Sequence, residues 1–531
     1  MIAGLVLVPV LALGWQAAQG SEGLWRHLAG HVLWPALWQT AVLMAGVGLL
    51  TAVIGTTAAW LVAAHDFPGR RILDWALLLP LAVPTYIVAY VYLDMLHPLG
   101  PIQSALRALL GHDSPRDFRL PDIRSMPGAI LLLGLVLYPY VYLPVRAMFM
   151  TQAANLVEVA RTLGTPRRRI LWRVALPLAR PAIAVGMSLA LMETLNDIGA
   201  SEFLGVRSLT ISVYTTWVTR SDLAGAAQIA LAMLALVLAL ISVERWARRR
   251  QRYAVSAQRA RSMARRPLKG AAGWGALLLG LLPVVLGFVL PAAYLAVEAW
   301  KRFRFAGLSS RLLTEAWNTL ALSALTTVAV VACGLVVAYG VRVVPHRGMQ
   351  LVHRLASLGY AMPGTILALG ILIAAGGLDR WIGRVAQGLW GIDPGLVLIG
   401  SGLALGYAYL ARFLAISIGG IEAGLARIPL GYDHSSRTLG HGIAGTLRRV
   451  HLPLSRAALA AAGLLIFVDC MKELSATLLL RPLNFETLAT HLYGEAARGT
   501  YEEAALAALA IVLVGILPVI LLARLGRDPA R

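Results

Sequence analysis

Four ionisable residues lie inside two of the most apolar stretches of this chain. Glu193 and Asp197 are four residues apart, a spacing that places both carboxylates on one face of a helix. Lys472 and Glu473 occupy a comparable stretch in the other half of the sequence. Charges at membrane depth are costly and usually face a partner, the interior of a helix bundle or a wet cavity. These residues are therefore candidates for a gate or pathway that passes a cationic or chelated solute. The alternative is a structural ion pair between Lys472 and Glu193 or Asp197.

A second pattern, in two arginine-rich loops, indicates docking rather than catalysis. Residues 158–183 read EVARTLGTPRRRILWRVALPLARPAI, and residues 434–459 read HSSRTLGHGIAGTLRRVHLPLSRAAL. The blocks RTLG and LPL recur in both loops at a single offset of 276 residues. An ordinary cytoplasmic loop explains the arginines but not the repeated spacing. Two loops with one spacing predict one partner that binds twice.

The sequence lacks the residue patterns of common catalytic chemistry. No G-x-x-x-x-G-K-[ST] phosphate loop occurs, and none of the three lysines follows such a glycine pattern. The histidines have no metal-ligand spacing, and neither G-x-S-x-G nor H-E-x-x-H is present. We therefore expect no enzymatic activity, no bound cofactor and no metal site in this chain.

The elements that carry these residues must cross a membrane. The chain is 58% hydrophobic and 14% charged, whereas soluble domains carry about 25% charged residues. A membrane span needs roughly 20 mostly apolar residues, and a helix satisfies its backbone polar groups within one segment. We therefore predict an all-α polytopic membrane protein with twelve spans. The apolar runs lie near 2–17, 37–64, 73–96, 128–150, 181–202, 224–244, 273–296, 316–341, 355–376, 395–418, 457–480 and 504–524.

The net charge of +21 collects between the apolar runs, which argues against a nucleic-acid partner. Basic residues in short loops stay on the cytoplasmic side of a membrane. This rule places the basic stretch 245–270, both repeated loops and the C-terminus in the cytoplasm, and twelve spans then place the N-terminus there as well. The exceptions are four cations on the predicted outer side, namely Lys301, Arg302, Arg304 and Arg311.

The repeat extends over the whole chain. Residues match at an offset of 279 outside the loops; the pairs are Trp38 with Trp317, Thr40 with Thr319 and Pro84 with Pro363. We therefore divide the chain into a first half (1–245), a basic cytoplasmic linker (246–272) and a second half (273–531). The repeated loops occupy 151–180 and 420–456. Because each half holds an even number of spans, the halves form a parallel repeat with a pathway at their seam.

Prolines interrupt equivalent runs in the two halves. Pro84 lies in the sequence PLAVPTY and Pro363 in AMPGT. Breaks of this kind free backbone groups and are tolerated where they face protein or a water-filled cavity. Both residues are candidates for the lining of the pathway, with a simple helix kink as the alternative.

The repeated loops resemble the "EAA" loop of ABC importer permeases. The resemblance rests on Glu158-Val159-Ala160, Gly164 and Leu176-Pro177, and its duplication covers both halves. In that family the loop forms a coupling helix in a groove on a separate cytoplasmic ATPase. The resemblance implies a multi-pass permease of a bacterial inner membrane. Its partners would be two ATPase copies, which hold ATP and Mg²⁺, and one periplasmic binding protein.

By this resemblance the ATPase-coupling residues belong to the two loops. They are Glu158, Ala160, Arg161, Gly164 and Pro177 in the first loop, and Asp433, His434, Arg437, Gly440 and Pro453 in the second. The second loop departs from the pattern, because His434 stands at the position of Glu158 and the acidic residue comes one position earlier. A shift of one residue turns a side chain by about 100° around a helix. We therefore predict unequal docking of the two loops.

Two further stretches resemble bacterial ferric-iron importer permeases. They are METLNDIGA at 192–200 and KELSATLLLRP at 472–482, the latter followed by NFETLAT at 484–490. The resemblance implies ferric iron as cargo, while thiamine, phosphonate and polyamine permeases of the same architecture are alternatives. A twelve-helix secondary transporter or a channel is a further alternative, but neither needs two ATPase-docking loops.

Overall fold

Helices make up most of the chain in the computed structural model. The structure describes residues 2–20, 23, 25–163, 165–249, 265–344 and 346–525, with the side chains of 151–159, 161, 167–168, 245–249 and 522–525 left out. Residues 250–264, within the predicted basic linker, lie outside the described residues.

The helices up to residue 249 are α1 Ile2–Ala18, α2 Trp25–Leu28, α3 Trp34–Ala64, α4 Arg70–Ala76, α5 Thr85–Met95, α6 Pro101–Leu110, α7 Met126–Leu137, α8 Pro139–Thr162, α9 Arg167–Ile170, α10 Leu176–Asn196, α11 Gly199–Phe203, α12 Leu209–Val218 and α13 Leu223–Arg249. Those after the linker are α14 Ala271–Val284, α15 Leu290–Ala306, α16 Ser310–Val343, α17 Arg347–Ala356, α18 Gly364–Trp390, α19 Val397–Gly400, α20 Leu403–Leu425, α21 Leu430–Thr438, α22 Ile443–Thr446, α23 Leu452–Met471, α24 Ser475–Leu480, α25 Leu488–Arg498 and α26 Tyr501–Leu525. Short π-helical turns at Ala29–Leu33, Leu171–Ala175, Val285–Val289 and Leu447–His451 join neighbouring helices, and 3₁₀ turns occupy Leu79–Ala82 and Ser357–Ala361. Two short strands, β1 His65–Asp66 and β2 Arg266–Pro267, pair in parallel.

The long apolar helices confirm the predicted all-α polytopic architecture. Among the described residues, nine helices are long and apolar enough to cross a membrane, or up to eleven if each of two bent pairs counts as one span. The predicted run at 2–17 forms the shorter apolar helix α1, which has 17 residues. Each of the twelve predicted runs thus overlaps a helix or a bent pair of helices.

Pro84 and Pro363 end one helical segment and begin the next. Each residue caps the N-terminus of the following helix, α5 or α18, in an extended conformation. The residues before them, Val83 and Met362, are also extended, because a following proline disfavours the α conformation. The segments on either side of Pro84 differ in direction by 89°. In the second half the span begins after the break and comprises Gly364–Trp390. It therefore lies later in the sequence than the predicted run at 355–376.

One compact unit comprises residues 1–29, 212–234 and 306–494. Within it α16 packs on α20 and α23, and α1 packs along α18. Gly370 of α18 allows the two helices to approach closely. A Cβ at this position would lie 2.3 Å from the carbonyl oxygen of Pro9 in α1. Tyr407 of α20 also donates a hydrogen bond to the carbonyl of Leu5. This unit therefore holds most of the second sequence half together with the first helix of the chain.

The other compact unit comprises residues 30–211, 235–305 and 495–531. Here α3 packs on α8 and α10 around buried Tyr138 and Tyr142. The later segments belong to the same core, since Tyr92 of α5 donates to the Leu286 carbonyl at 2.7 Å and Tyr294 donates to Asp94 at 2.6 Å. Each unit thus combines segments from both sides of the linker. The division at 245 and 273 describes the sequence repeat, and it stays a prediction.

Three of the four cations that depart from the charge rule have carboxylate partners. Lys301 pairs with Glu298 at 2.7 Å, and Arg302 pairs with Glu503 at 2.7 Å. Arg311 pairs with the buried Glu315 at 2.9 Å. These contacts give the three cations a role in packing.

We expect Gly359→Ala to destabilise the protein by about 1–3 kcal/mol, the usual cost of forcing extra atoms into a packed site. A Cβ at Gly359 would lie 1.8 Å from the Ala411 carbonyl oxygen, so the 3₁₀ turn or α20 must move. The unfolding temperature of the purified protein in detergent measures this loss. Gly377→Ala is the matched control, because a Cβ there meets nothing within 4 Å. Equal unfolding temperatures for the two variants would contradict the expectation.

Candidate functional site

The first repeated loop continues a membrane helix. Helix α8 extends through Thr162, so Glu158 and Arg161 belong to its last turns, although their side chains lie outside the described residues. The carbonyl of Ala160 accepts a hydrogen bond from the backbone N–H of Thr165 at 3.0 Å. Gly164 lies outside the described residues. The loop thus has a helical start, as the docking prediction requires.

The exit of the first loop is built around Pro177, the second residue of α10. A π-helical turn at Leu171–Ala175 leads into this helix. The helical backbone is continuous from the π turn into α10, so Pro177 removes a hydrogen-bond donor inside a helix, and a π turn is a local adjustment that accommodates such a proline. In the second loop Pro453 takes the same place in α23, after a π turn at Leu447–His451. The two loops therefore share the backbone of their exits.

The second loop folds as a separate short helix. Pro429 caps the N-terminus of α21, which begins at Leu430. Gly440 follows the C-terminus with a φ of +79°, a left-handed conformation that glycine adopts without steric cost. His434 and Arg437 are exposed on this helix.

Apolar side chains next to these polar residues are also exposed. They are Leu430 at 64%, Tyr432 at 52%, Leu439 at 75% and Ile443 at 57% exposure. We call α21, Leu439 and Ile443 the docking helix surface. A cluster of large apolar side chains beside exposed polar residues is typical of a protein-interaction site.

Asp433 faces away from this surface. Its carboxylate contacts Arg342 of α16 at 2.6 Å and His451, at the end of the π turn, at 3.3 Å. Burial raises the pKa of Asp433, but the hydrogen bond and charge of Arg342, with a contribution from His451, hold it below its usual value. Asp433 therefore stays ionised at neutral pH. The structure separates it from His434, its exposed neighbour in the sequence.

Asp197 and Glu473 occupy equivalent positions in the two compact units. Each carboxylate follows a long helix and accepts backbone N–H groups at the start of a short one. Asp197 accepts from Ala200 at 2.7 Å and Ser201 at 3.2 Å. Glu473 accepts from Ala476 at 3.1 Å and Thr477 at 3.2 Å. Both carboxylates are buried and cap a break in the backbone.

The partners of the two carboxylates differ. Asp197 accepts a hydrogen bond from the hydroxyl of Thr85, the first residue after the Pro84 break. Glu473 instead pairs with Arg412 at 2.8 Å. Gly364 stands at the position of Thr85 at the 279-residue offset. A Cβ at Gly364 would lie 2.3 Å from the guanidinium of Arg412. The glycine therefore makes room for the arginine.

The helix boundaries align α10 with α23. The two helices begin at residues that are 276 positions apart, and the capping carboxylates Asp197 and Glu473 have the same offset. Glu193 therefore corresponds to Asp469. Lys472 has Asp469 as an ion-pair partner in its own segment, at 2.8 Å. The expected contact of Lys472 with Glu193 or Asp197 stays a prediction.

Sequence reasoning missed the partners of the acidic residues. Arg412 lies within the apolar run 395–418 and Arg342 directly follows the run 316–341, and a cation at such a position signals a buried carboxylate nearby. The sequence around Gly364 did not indicate a functional or structural role for this glycine. Its role depends on which side chains the fold brings beside it.

Comparisons with known proteins give a consistent result. A family profile described as "Binding-protein-dependent transport system inner membrane component" matches residues 52–253. The chain is similar to the Fe(3+)-transport system permease protein FbpB 2 of Haemophilus influenzae, with 23% identity over 92% of this chain and 89% of that protein.

Two shorter alignments name other solutes. The molybdenum transport system permease protein ModB of Escherichia coli is 29% identical over 39% of this chain and 92% of its own length. The putative 2-aminoethylphosphonate transport system permease protein PhnU of Salmonella paratyphi A is 30% identical over 37% of this chain and 68% of its own length.

We expect Arg412→Val to destabilise the protein by about 3–5 kcal/mol, because it leaves the Glu473 carboxylate buried without its cation. Arg412 corresponds to Val136 at the 276-residue offset. Adding Gly364→Thr to Arg412→Val therefore recreates the Thr85 and Val136 pair of the first half and supplies a hydroxyl donor, so the double variant should regain part of the loss. Unfolding temperatures in detergent measure both effects. Arg384→Val, at an exposed arginine of α18, is the control. Wild-type stability of Arg412→Val would refute the assigned role of the pair.

Proposed function

This chain belongs to the family of binding-protein-dependent transport system inner membrane components, and from that premise we propose that it imports ferric iron in an ATP-driven ABC transporter. It is a multi-pass permease of the inner membrane. Its family works with an ATPase and a substrate-binding protein. We further propose two ATPase copies, one for each repeated loop, and cytoplasmic chain termini.

The docking helix surface is the observation that supports coupling to an ATPase. It exposes Leu430, Tyr432, Leu439 and Ile443 beside His434 and Arg437. Tyrosine and arginine are enriched among the residues that supply most of the binding energy at protein interfaces, and neighbouring contacts exclude water around them. The first loop presents Leu163 at 79% exposure, at the end of α8. Leu163 and Leu439 correspond at the 276-residue offset, so both loops offer a leucine to one kind of partner.

The proposed mechanism places the chemistry of ATP on the partner. ATP and Mg²⁺ bind to the ATPase, and the closure of its dimer pushes on both loops. The permease converts this push into an exchange of inward-facing and outward-facing states. In the second loop the ends of α16, α20 and α23 lie directly beneath the docking helix, as the contacts of Asp433 and Arg342 indicate.

Candidates for the pathway are the residues at the breaks in the helices. Pro84 and Pro363 begin α5 and α18, and the carboxylates of Asp197 and Glu473 cap the neighbouring short helices. The Arg412 partner neutralises Glu473, so we propose a structural role for that residue. We retain Glu193, Asp197 and Lys472 as candidate gate residues.

Ferric iron is proposed as the cargo because of the alignment with FbpB 2. That alignment extends over 92% of this chain, whereas the alignments with ModB and PhnU cover 39% and 37%. Molybdate and 2-aminoethylphosphonate, which the names of these relatives imply, are the cargoes to test against it.

We expect uptake of radiolabelled ferric citrate by cells that express this chain with its ATPase and binding protein, and loss of uptake when the chain is deleted. Molybdate and 2-aminoethylphosphonate should not compete at equal concentration. In vesicles the purified assembly should transport only with ATP, and a proton or sodium gradient should not replace it. Accumulation by the chain alone would refute the ABC mechanism, whereas ATP-driven transport of molybdate would refute the cargo alone.

Glu158→Gln should reduce ATP-driven uptake by about tenfold or more, corresponding to the loss of at least about 1.4 kcal/mol of coupling. His434→Gln, its counterpart in the second loop, should reduce uptake less, because the acidic residue of that loop faces inward. Uptake at equal membrane abundance of both variants is the measurement. Equal losses from the two substitutions would contradict unequal docking.

A further inference from the structure

Asp433 of α21 lies beneath the docking helix surface and contacts two other polar side chains. Its carboxylate forms an ion pair through one oxygen with Arg342 at 2.6 Å, and its other oxygen lies 3.3 Å from Nε2 of His451 without a hydrogen bond. The side chains of Arg342 and Asp433 are each 11% exposed, and His451 is fully buried. A charged cluster this well shielded from solvent depends on its internal pairing.

Arg342 extends the cluster to a third membrane helix. Its guanidinium donates hydrogen bonds to the carbonyl of Leu425 at 2.6 Å and to that of Ile428 at 2.9 Å. These carbonyls lie at and just beyond the C-terminus of α20, where the backbone lacks helical partners and favours a cation. One guanidinium therefore joins the end of α20 to the first turn of α21.

Tyr339 completes the contacts on the side of α16. Its hydroxyl donates to the Ile443 carbonyl at 2.9 Å, and its ring meets His451 edge to face at 5.3 Å. The docking helix and the segment after it are thus tied to α16 at two points one helical turn apart.

The first half of the chain has no polar residue at any of the three positions. Arg342 corresponds to Ala63 at the 279-residue offset, and Asp433 and His451 correspond to Val157 and Ala175 at the 276-residue offset. Ala63 and Ala175 are buried in an apolar core. Arg342 or Asp433 alone would leave a buried charge without a partner, so these two residues are expected to occur together or not at all.

We propose that Arg342, Asp433 and His451 form an electrostatic latch that ties the second docking helix to the ends of α16, α20 and α23. The latch passes displacement of α21 to three membrane helices at once. Asp433 is thereby a positioning residue and not a contact of the ATPase. The source of the displacement rests on the proposed function, but the latch belongs to this chain alone.

The test is a double-mutant cycle read by hydrogen exchange on the full chain in lipid nanodiscs. Arg342→Met and Asp433→Asn should each accelerate amide exchange in residues 430–438 by about tenfold or more, because each leaves a buried charge without its partner. The double variant should exchange more slowly than the product of the single effects predicts. Arg448→Ala, at an exposed arginine of the same loop, is the charge-matched control and should exchange as the wild type does. Unchanged exchange in both single variants, or a multiplicative double variant, would overturn the latch.

A second measurement separates a latch from a docking contact. In the assembled transporter, Asp433→Asn should retain the co-purifying ATPase and lose most ATP-driven uptake. Loss of the ATPase, with normal exchange in α21, would make Asp433 a partner contact and overturn the proposal. Failure of the wild-type chain to retain any ATPase would refute the proposed function and leave the hydrogen-exchange result intact.

Discussion

A helix that breaks at membrane depth leaves backbone N–H groups without hydrogen-bond partners. In this structure buried carboxylates accept the hydrogen bonds of these groups. Asp197 and Glu473 each accept two successive N–H groups where a long helix gives way to a short one. Within a membrane such breaks are tolerated only where they face protein or a water-filled cavity, and here buried side chains satisfy the freed groups. Each buried carboxylate also needs a side-chain donor or a cation, and this requirement restricts which residue can lie beside it. The positions of α5, α18 and α20 therefore depend on two acidic side chains.

The two halves meet this requirement differently. The first half uses the neutral hydroxyl of Thr85, and the second uses the charge of Arg412 with a glycine at position 364 to admit it. The same division recurs beneath the repeated loops, where the second half buries Arg342, Asp433 and His451 and the first has Ala63, Val157 and Ala175 at the equivalent positions. The backbone breaks recur in both halves, while the buried side chains at equivalent positions differ in groups. Ionic contacts are directional and fail when one member is lost, whereas apolar contacts tolerate small shifts. The second half is thus built to keep its docking helix in one orientation.

This asymmetry bears on how a fused permease works. Under the proposed coupling to two ATPase copies, the ionic attachment of α21 in the second half would make the chain respond unequally to them. Leu163 and Leu439 are both exposed, while the residues at the positions of Arg342, Asp433 and His451 differ between the two halves.

The sequence by itself determined the class of protein, the spans and the repeat. Apolar runs of the required length have one solution in lipid, and the recurring RTLG and LPL blocks specify equivalent loops without knowledge of their surroundings. Prolines 84 and 363 also marked their breaks, because the effect of proline on its own backbone is local. Only the tertiary structure decided the partners of the charges. Arg342 reaches Asp433 across 91 residues and Arg412 reaches Glu473 across 61, and the space at Gly364 exists only because an arginine from another helix enters it. Contacts between residues distant in the chain depend on how helices pack, and helical spacing within a single run carries no information about that.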